Sequence, residues 1–222
     1  MRFLTLVKKE FRESLPWMCL ACVLFVGLGA LFVDSDEARR AGTSVDNSVV
    51  SWCVTPVSSL GPLLLLTSLG LGLVMGIRQF YVPAFDRTWA FTLHRPVKVS
   101  TIVHAKLTAA ILGLTLFAGL PWTAMYLYAA APGRFMDPIM PRVLWEGWLL
   151  VVSGFVLYLG TAVSSLHRAH WYATKVFSLV FALALILVAA ISAPFPAPFV
   201  FLGIGLGILG VQVYALMRSQ EF

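Results

Sequence analysis

Charge is scarce in this sequence. Only 12% of its 222 residues are Asp, Glu, Lys or Arg, about half of the roughly 25% with which a soluble domain covers its surface. The shortfall excludes a water-soluble globular domain of this length, and a mean hydropathy of +0.88 agrees. Catalytic signatures are missing too: there is no G-x-x-x-x-G-K-[ST] phosphate loop, H-E-x-x-H, paired-Glu or G-x-S-x-G motif, so nucleotide hydrolysis, zinc hydrolysis and serine acyl transfer have no basis in the sequence. Cysteine is rare. Cys19 and Cys22 stand three apart in the first apolar run and Cys53 lies beyond it. Two thiols make a poor metal site and read as apolar packing. No Asp, Glu, Lys or Arg stands in the middle of an apolar run, so the buried ionisable groups on which proton- and sodium-driven carriers depend are also lacking.

What is present is apolar sequence in long runs. With roughly 20 residues per span, 222 residues hold six spans with short loops and no sizeable soluble domain. The expected fold is an all-α integral membrane protein, one transmembrane domain over 1–222. Its six transmembrane helices run from about Leu15 to Val33, Val57 to Ile77, Leu107 to Tyr128, Leu144 to Leu166, Val176 to Ser192 and Phe199 to Met217. Pro16 falls in the first turn of the first span, where a missing N–H does little harm, and Pro121 interrupts the third. The turn Pro194–Pro198 leaves almost no external domain between the last two spans. Basic residues set the orientation. With both termini cytoplasmic, twelve Lys and Arg lie inside: Arg2, Lys8, Lys9, Arg12, Arg78, Arg87, Arg95, Lys98, Lys106, Arg168, Lys175 and Arg218. Four lie outside: Arg39, Arg40, Arg134 and Arg142. This is a strong positive-inside bias. The net charge of +6 is thereby assigned to topology and lipid headgroups and not to nucleic acid.

The segment before the first span carries Phe3, Leu4, Val7 and Phe11 along one helical face, with Lys8, Lys9, Arg12 and Glu13 mostly elsewhere. That pattern predicts an amphipathic interfacial helix over 1–14. The apolar run behind it is too long for the core of a cleaved signal peptide, so the segment is expected to be retained.

The connection between the second and third spans is the most informative stretch. It runs from Arg78 to Lys106, near thirty residues, where connections between helices are usually short. Phe80, Phe85, Trp89 and Phe91 are unfavourable in water unless they touch something. Pro96 ends a short helix, and Ser100 caps the next. The expected form is an interfacial helix, a turn and a second helix, together a rigid knob on the cytoplasmic surface. The pattern Asp86-Arg-Thr-Trp-Ala-Phe-Thr-Leu-His-Arg-Pro-Val97, followed by Ile102-Val-His-Ala-Lys106, resembles the signature loop of type-2 ABC exporter permeases. Leu93, Pro96, Val97, Ile102 and Lys106 match its Leu-x-x-Pro-Val/Ile and Ile-x-x-x-Lys elements. Asp86 stands where the family usually has Glu, and Lys98-Val99 where it has Ser-Arg. The N-terminal Leu-Val-Lys-Lys-Glu-Phe-Arg-Glu stretch resembles the family's elbow helix.

The resemblance implies a non-catalytic permease subunit in the cell (inner or plasma) membrane, paired with a second copy in a homodimer and served by two copies of a cytosolic ABC ATPase that carry the ATP and magnesium. The chain itself needs no cofactor. ATPase coupling falls to Phe85, Asp86, Arg87, Trp89, Leu93, His94, Arg95 and Pro96, and the elbow charges are Lys8, Lys9, Glu10 and Arg12. Trp122, Tyr126, Tyr158 and Gln212 lie on spans and are the candidate substrate-pathway residues. Two other readings stand beside this one. A non-transport scaffold or assembly factor uses the same loop to grip a different partner. An intramembrane enzyme draws on His94, His104, His167 and His170, of which His167 and His170 have helical i,i+3 spacing. Glu146, between Trp145 and Trp148, reads as part of an interfacial aromatic belt.

Overall fold

The computed structural model describes residues 2–42, 60–85, 98–131, 141–166, 176–191 and 196–218. Six helical rods follow one another among them. The first, α1, is Arg2–Gly42. The second, α2, comprises an α-helical Gly61–Gly76, a π-helical turn Ile77–Tyr81 and an α-helical Val82–Phe85. The third, α3, comprises Val99–Leu114, a π-helical turn Thr115–Gly119 and Leu120–Ala129. Then come α4 (Pro141–Leu166), α5 (Val176–Ile191) and α6 (Ala197–Arg218).

Among the described residues, five stretches are long and apolar enough to cross a membrane: Phe3–Ala30, Gly61–Tyr81, Ser100–Ala129, Pro141–Leu166 and Ala197–Arg218. The remaining rod, α5, is as apolar but has 16 residues, about 24 Å at 1.5 Å per residue, short of the roughly 30 Å hydrocarbon core. The outer faces carry Leu20, Val23, Leu66, Leu127, Val180, Leu187, Ile204 and Val211 exposed. This is the apolar exterior of a multi-pass membrane protein, since a soluble bundle turns such side chains inward.

The predicted boundaries hold for the second half of the chain and shift in the first. The sequence predicts an interfacial helix over 1–14 and a separate span from Leu15. In the structure α1 is continuous, with Pro16 inside it. Its first turns are held in line because Val7, Phe3 and Leu6 pack on Ala105 and Ala109 of α3. The connection expected over 78–106 is likewise shorter. Residues 78–85 continue α2, and α3 begins at Val99, eight residues before the expected start of the third span. Pro121 does not break α3. Both internal prolines of α2 and α3 stand two residues beyond a π-turn, Pro83 after Ile77–Tyr81 and Pro121 after Thr115–Gly119. Each π-turn closes with an i→i−5 bond, from the Val82 N–H to the Ile77 carbonyl and from the Leu120 N–H to the Thr115 carbonyl. The wider turn accommodates a ring that offers no N–H to the preceding helix. Residues 43–59, 86–97, 132–140, 167–175 and 192–195, and with them most of the predicted loops, lie outside the described residues.

The centre of the bundle is α4. Two thirds (67%) of its apolar window is buried, against 22% for α1 and for α6. It packs on α2, α5 and α6, while α1 lies against α3 and α2. The α2–α4 contact is a backbone contact. Ser68, Gly72 and Gly76 recur every fourth residue on α2 and face Gly154 and Thr161 of α4. A Cβ at Gly154 would sit 2.5 Å from the Ser68 carbonyl oxygen, one at Gly72 would run into the Gly154 carbonyl, and one at Gly76 would come within 2.7 Å of the Thr161 Cβ. Lipid tails are as apolar as leucine, so helices in a membrane gain mainly by such close approach. Several serine and threonine hydroxyls in the rods are satisfied within their own helix, as where Ser153 donates to the Leu149 carbonyl and Thr161 to that of Leu157, the expected answer where water is absent.

Gly154→Ala is expected to destabilise the detergent-solubilised protein by about 1–3 kcal/mol. Gly207→Ala on α6, where a Cβ meets nothing within 4 Å, should change stability by less than about 0.5 kcal/mol. Thermal unfolding of the two variants separates them, and equal effects would contradict the α2–α4 contact.

Candidate functional site

The two π-turns differ in what they leave behind. In a regular helix the carbonyl of Gln79 accepts from the N–H of residue 83, but residue 83 is proline and has none. The acceptor is taken up from another helix. Lys106 of α3, buried to 4% exposure, donates from Nζ to the Gln79 carbonyl at 2.8 Å and to Glu10 Oε1 of α1 at 2.9 Å. The ammonium also lies 5.5 Å from the centre of the Phe80 ring, a favourable position for a cation. Gln79 is itself buried, at 2%, and its side-chain Oε1 accepts from the Tyr158 hydroxyl of α4 at 2.6 Å. Phe80 meets Tyr158 edge-on at 5.9 Å and Phe155 stacks on Tyr158 at 5.6 Å.

Four helices therefore converge on one chain of contacts, Glu10 to Lys106 to Gln79 to Tyr158. Lys106 sits about 10 Å along α3 from its first residue, at 1.5 Å per residue, so a charge that the sequence places at the edge of a loop lies inside a candidate span. The ion pair is shielded, with side chains 5% and 13% exposed. Withdrawing both charges from water opposes folding by several kcal/mol, an opposition that good geometry and added hydrogen bonds offset. Lys106 has both. Two polar atoms near this chain of contacts have no hydrogen-bond partner among the described residues: Gln79 Nε2 and, one turn along α1 from Glu10, Ser14 Oγ. The arrangement has no nucleophile poised against a base, and among the described residues no three His, Cys, Asp or Glu side chains form a metal-holding group. What it can do is hold helix ends in register and transmit displacement between them.

The structure brings together only some of the residues singled out from the sequence. Glu10 and Tyr158 belong to the hub. Phe85 ends α2, is 75% exposed and stacks on Tyr81 at 6.1 Å. Asp86, Arg87, Trp89, Leu93, His94, Arg95 and Pro96 lie outside the described residues, as do His167 and His170. Lys8, Lys9 and Arg12 are exposed and line a shallow groove with Thr5 and Glu13 on α1, where Lys9 stands 3.7 Å from Glu13. Of the four candidate pathway residues, Gln212 faces a groove and the other three pack inside the bundle. Trp122 and Tyr158 are inside the bundle, at 2% and 0%, and Tyr126 is nearly so at 8%. Trp122 donates from Nε1 to the Leu144 carbonyl at 3.2 Å and fills a notch made by Gly147, where a Cβ would overlap the indole. Gln212 alone is exposed, in an open groove between α4, α5 and α6. His104 is exposed on α3 with Nδ1 2.5 Å from the Ser100 carbonyl.

The residue that sequence reasoning passes over is Gln79. The signal for it is a proline four residues later, which frees a carbonyl, together with a lysine at the head of the next helix. No known protein family, curated protein or solved structure matches the chain.

Lys106→Met leaves Glu10 buried and unpaired and the Gln79 carbonyl without its donor, so it should destabilise the protein by about 3–5 kcal/mol, as removal of one partner of a buried ion pair does. Tyr158→Phe orphans the Gln79 amide oxygen for about 1–3 kcal/mol. Chemical unfolding in detergent measures both, and a Lys106→Met variant as stable as the parent would dissolve the hub.

Proposed function

We propose that this chain is the permease subunit of an ABC exporter, with six membrane spans and both termini in the cytoplasm of an inner or plasma membrane. It works as a homodimer on two copies of a separate cytosolic ATPase that binds ATP and magnesium. The ATPase docks on the segment between α2 and α3, with Phe85, Asp86, Arg87, Trp89, Leu93, His94, Arg95 and Pro96 as its contact residues. In this reading α5 crosses the bilayer as the shortest span.

The observation that carries the proposal is the contact of Lys106 with Gln79 and Glu10 at 2.8 and 2.9 Å. The docking segment leaves from the end of α2 and returns at the start of α3, and Lys106 joins those two points to each other and to α1. A displacement imposed on the segment by nucleotide-driven closure of the ATPase is thereby shared by α1, α2 and α3. Through the Gln79–Tyr158 bond it reaches α4, against which α5 and α6 pack. Rigid-body rocking of packed helices is an established way to turn a local push into a change of access. The resemblance of Leu93, Pro96, Val97, Ile102 and Lys106 to the type-2 permease loop supports the same assignment, as does the distribution of basic residues, which favours a cytoplasmic side for this segment.

Affinity purification of the full chain from its native membrane should bring down a Walker-A ATPase in equimolar amount, and removal of residues 86–96 should abolish that association while the chain still inserts. An intact chain that recovers no ATPase, with a partner set unchanged by the deletion, would favour a scaffold over an exporter.

A further inference from the structure

Gln212 is the one candidate pathway residue that the fold leaves on its surface, and its setting is unlike that of the other polar groups in the bundle. It stands six residues before Arg218, the last residue of α6, about 9 Å along the helix. With Arg218 at the headgroups, the Gln212 amide lies within the hydrocarbon. Among the described residues that amide has no hydrogen-bond partner, whereas the serine and threonine hydroxyls of α4 at Ser153 and Thr161 bond within their own helix. An amide facing hydrocarbon alone is strongly unfavourable, so such residues mark protein contacts or ligand paths.

The space beside Gln212 is an open groove of ≈ 520 Å³, walled by Val163 of α4, by Phe177 and Phe181 of α5 and by Ile208 and Leu216 of α6. That volume lies within the range of small-molecule sites, and apolar aromatic walls with few polar groups are their usual make-up. Among the described residues no charged side chain lines it. A charged headgroup would find no counter-ion among them, whereas a neutral group that both donates and accepts would satisfy the amide.

We infer that the groove between α4, α5 and α6 binds a neutral amphiphile, one with a single apolar chain along Phe181, Ile208 and Val163 and a carboxamide or hydroxyl head on the Gln212 amide. The two ends of the groove fit this polarity. Helices α5 and α6 are joined through 192–195 and are antiparallel, so Phe177 and Leu216 mark the mouth near the end of α6, and Ile208 lies deeper. The amphiphile enters from the leaflet with its head last. The site is independent of any ATPase. Labelling of the groove tests it directly, and recovery of an ATPase tests the docking segment, so either can fail without the other.

The test uses the full chain in phosphatidylcholine nanodiscs and an octadecanamide carrying a diazirine on its chain. The expected result is saturable photolabelling of the peptides holding Phe177–Phe181 and Ile208–Leu216. Gln212→Leu should raise the half-saturating concentration roughly fivefold, the value of about one hydrogen bond. Ala215→Phe, which fills the groove and leaves the amide, should abolish the labelling. Labelling that rises linearly with probe, is matched by a phosphatidylcholine bearing the same diazirine, or ignores both substitutions would overturn the site. So would efficient disulfide formation between two copies of Gln212→Cys in the membrane, which would assign the groove to a second copy of the chain.

Discussion

A proline without an N–H sets up the interaction on which one end of this bundle depends. Pro83 leaves the carbonyl of Gln79 without its helical partner, and the Lys106 ammonium supplies the missing donor from the neighbouring helix. Lys106 is then obliged to find a counter-charge, because an unpaired ammonium at 4% exposure is not tolerable. Glu10 provides it, which in turn holds the first turns of α1 against α3. The same residue that loses its backbone partner turns its side chain to Tyr158. One defect in one helix thus accounts for the attachment of three others.

The other half of the bundle is held by a different device. Between α2 and α4 there is little to pair and much to pack: Ser68, Gly72 and Gly76 meet Gly154 and Thr161 so closely that backbone touches backbone. Small residues let dispersion act at short range where no hydrophobic drive between helices exists. Charge locks the helix ends and close packing locks the middle. Because Tyr158 and Thr161 lie one turn apart on α4, the two devices adjoin: Gly76 sits under the Tyr158 carbonyl, and three residues on, Gln79 receives the Tyr158 hydroxyl.

Composition makes a bundle of apolar helices legible, and the runs that became α4, α5 and α6 are found to within a few residues. The first three helices are harder, for a physical reason. Hydropathy registers where a charge or a proline stands but not what satisfies it. Arg78, Lys106 and Pro16 read as loop or helix-start residues. In the structure all three are helical: a π-turn lets α2 run past Arg78 and absorbs Pro83, Lys106 has Glu10, 96 residues away in sequence, to neutralise it, and the turns of α1 before Pro16 pack on α3. The same blindness affects the aromatic residues. Trp122 at membrane depth reads from sequence as a candidate pathway wall, and what sequence does not register is the notch at Gly147 that it fills. Gln212 is recognisable from sequence as a polar group in a span, and among the described residues no side chain answers it.

The proposed exporter function requires the segment between α2 and α3 to move the helices as one body. Glu10 and Tyr158 occupy opposite ends of the contact chain and are joined through Lys106 and Gln79, so their coupling is the property to measure. A double-mutant cycle of Glu10→Gln and Tyr158→Phe, read by chemical unfolding of the solubilised protein, does so directly. A network that acts as a unit predicts non-additivity of about 0.5–3 kcal/mol. Strict additivity, as for independent sites, would contradict the claim that the four helices are mechanically one.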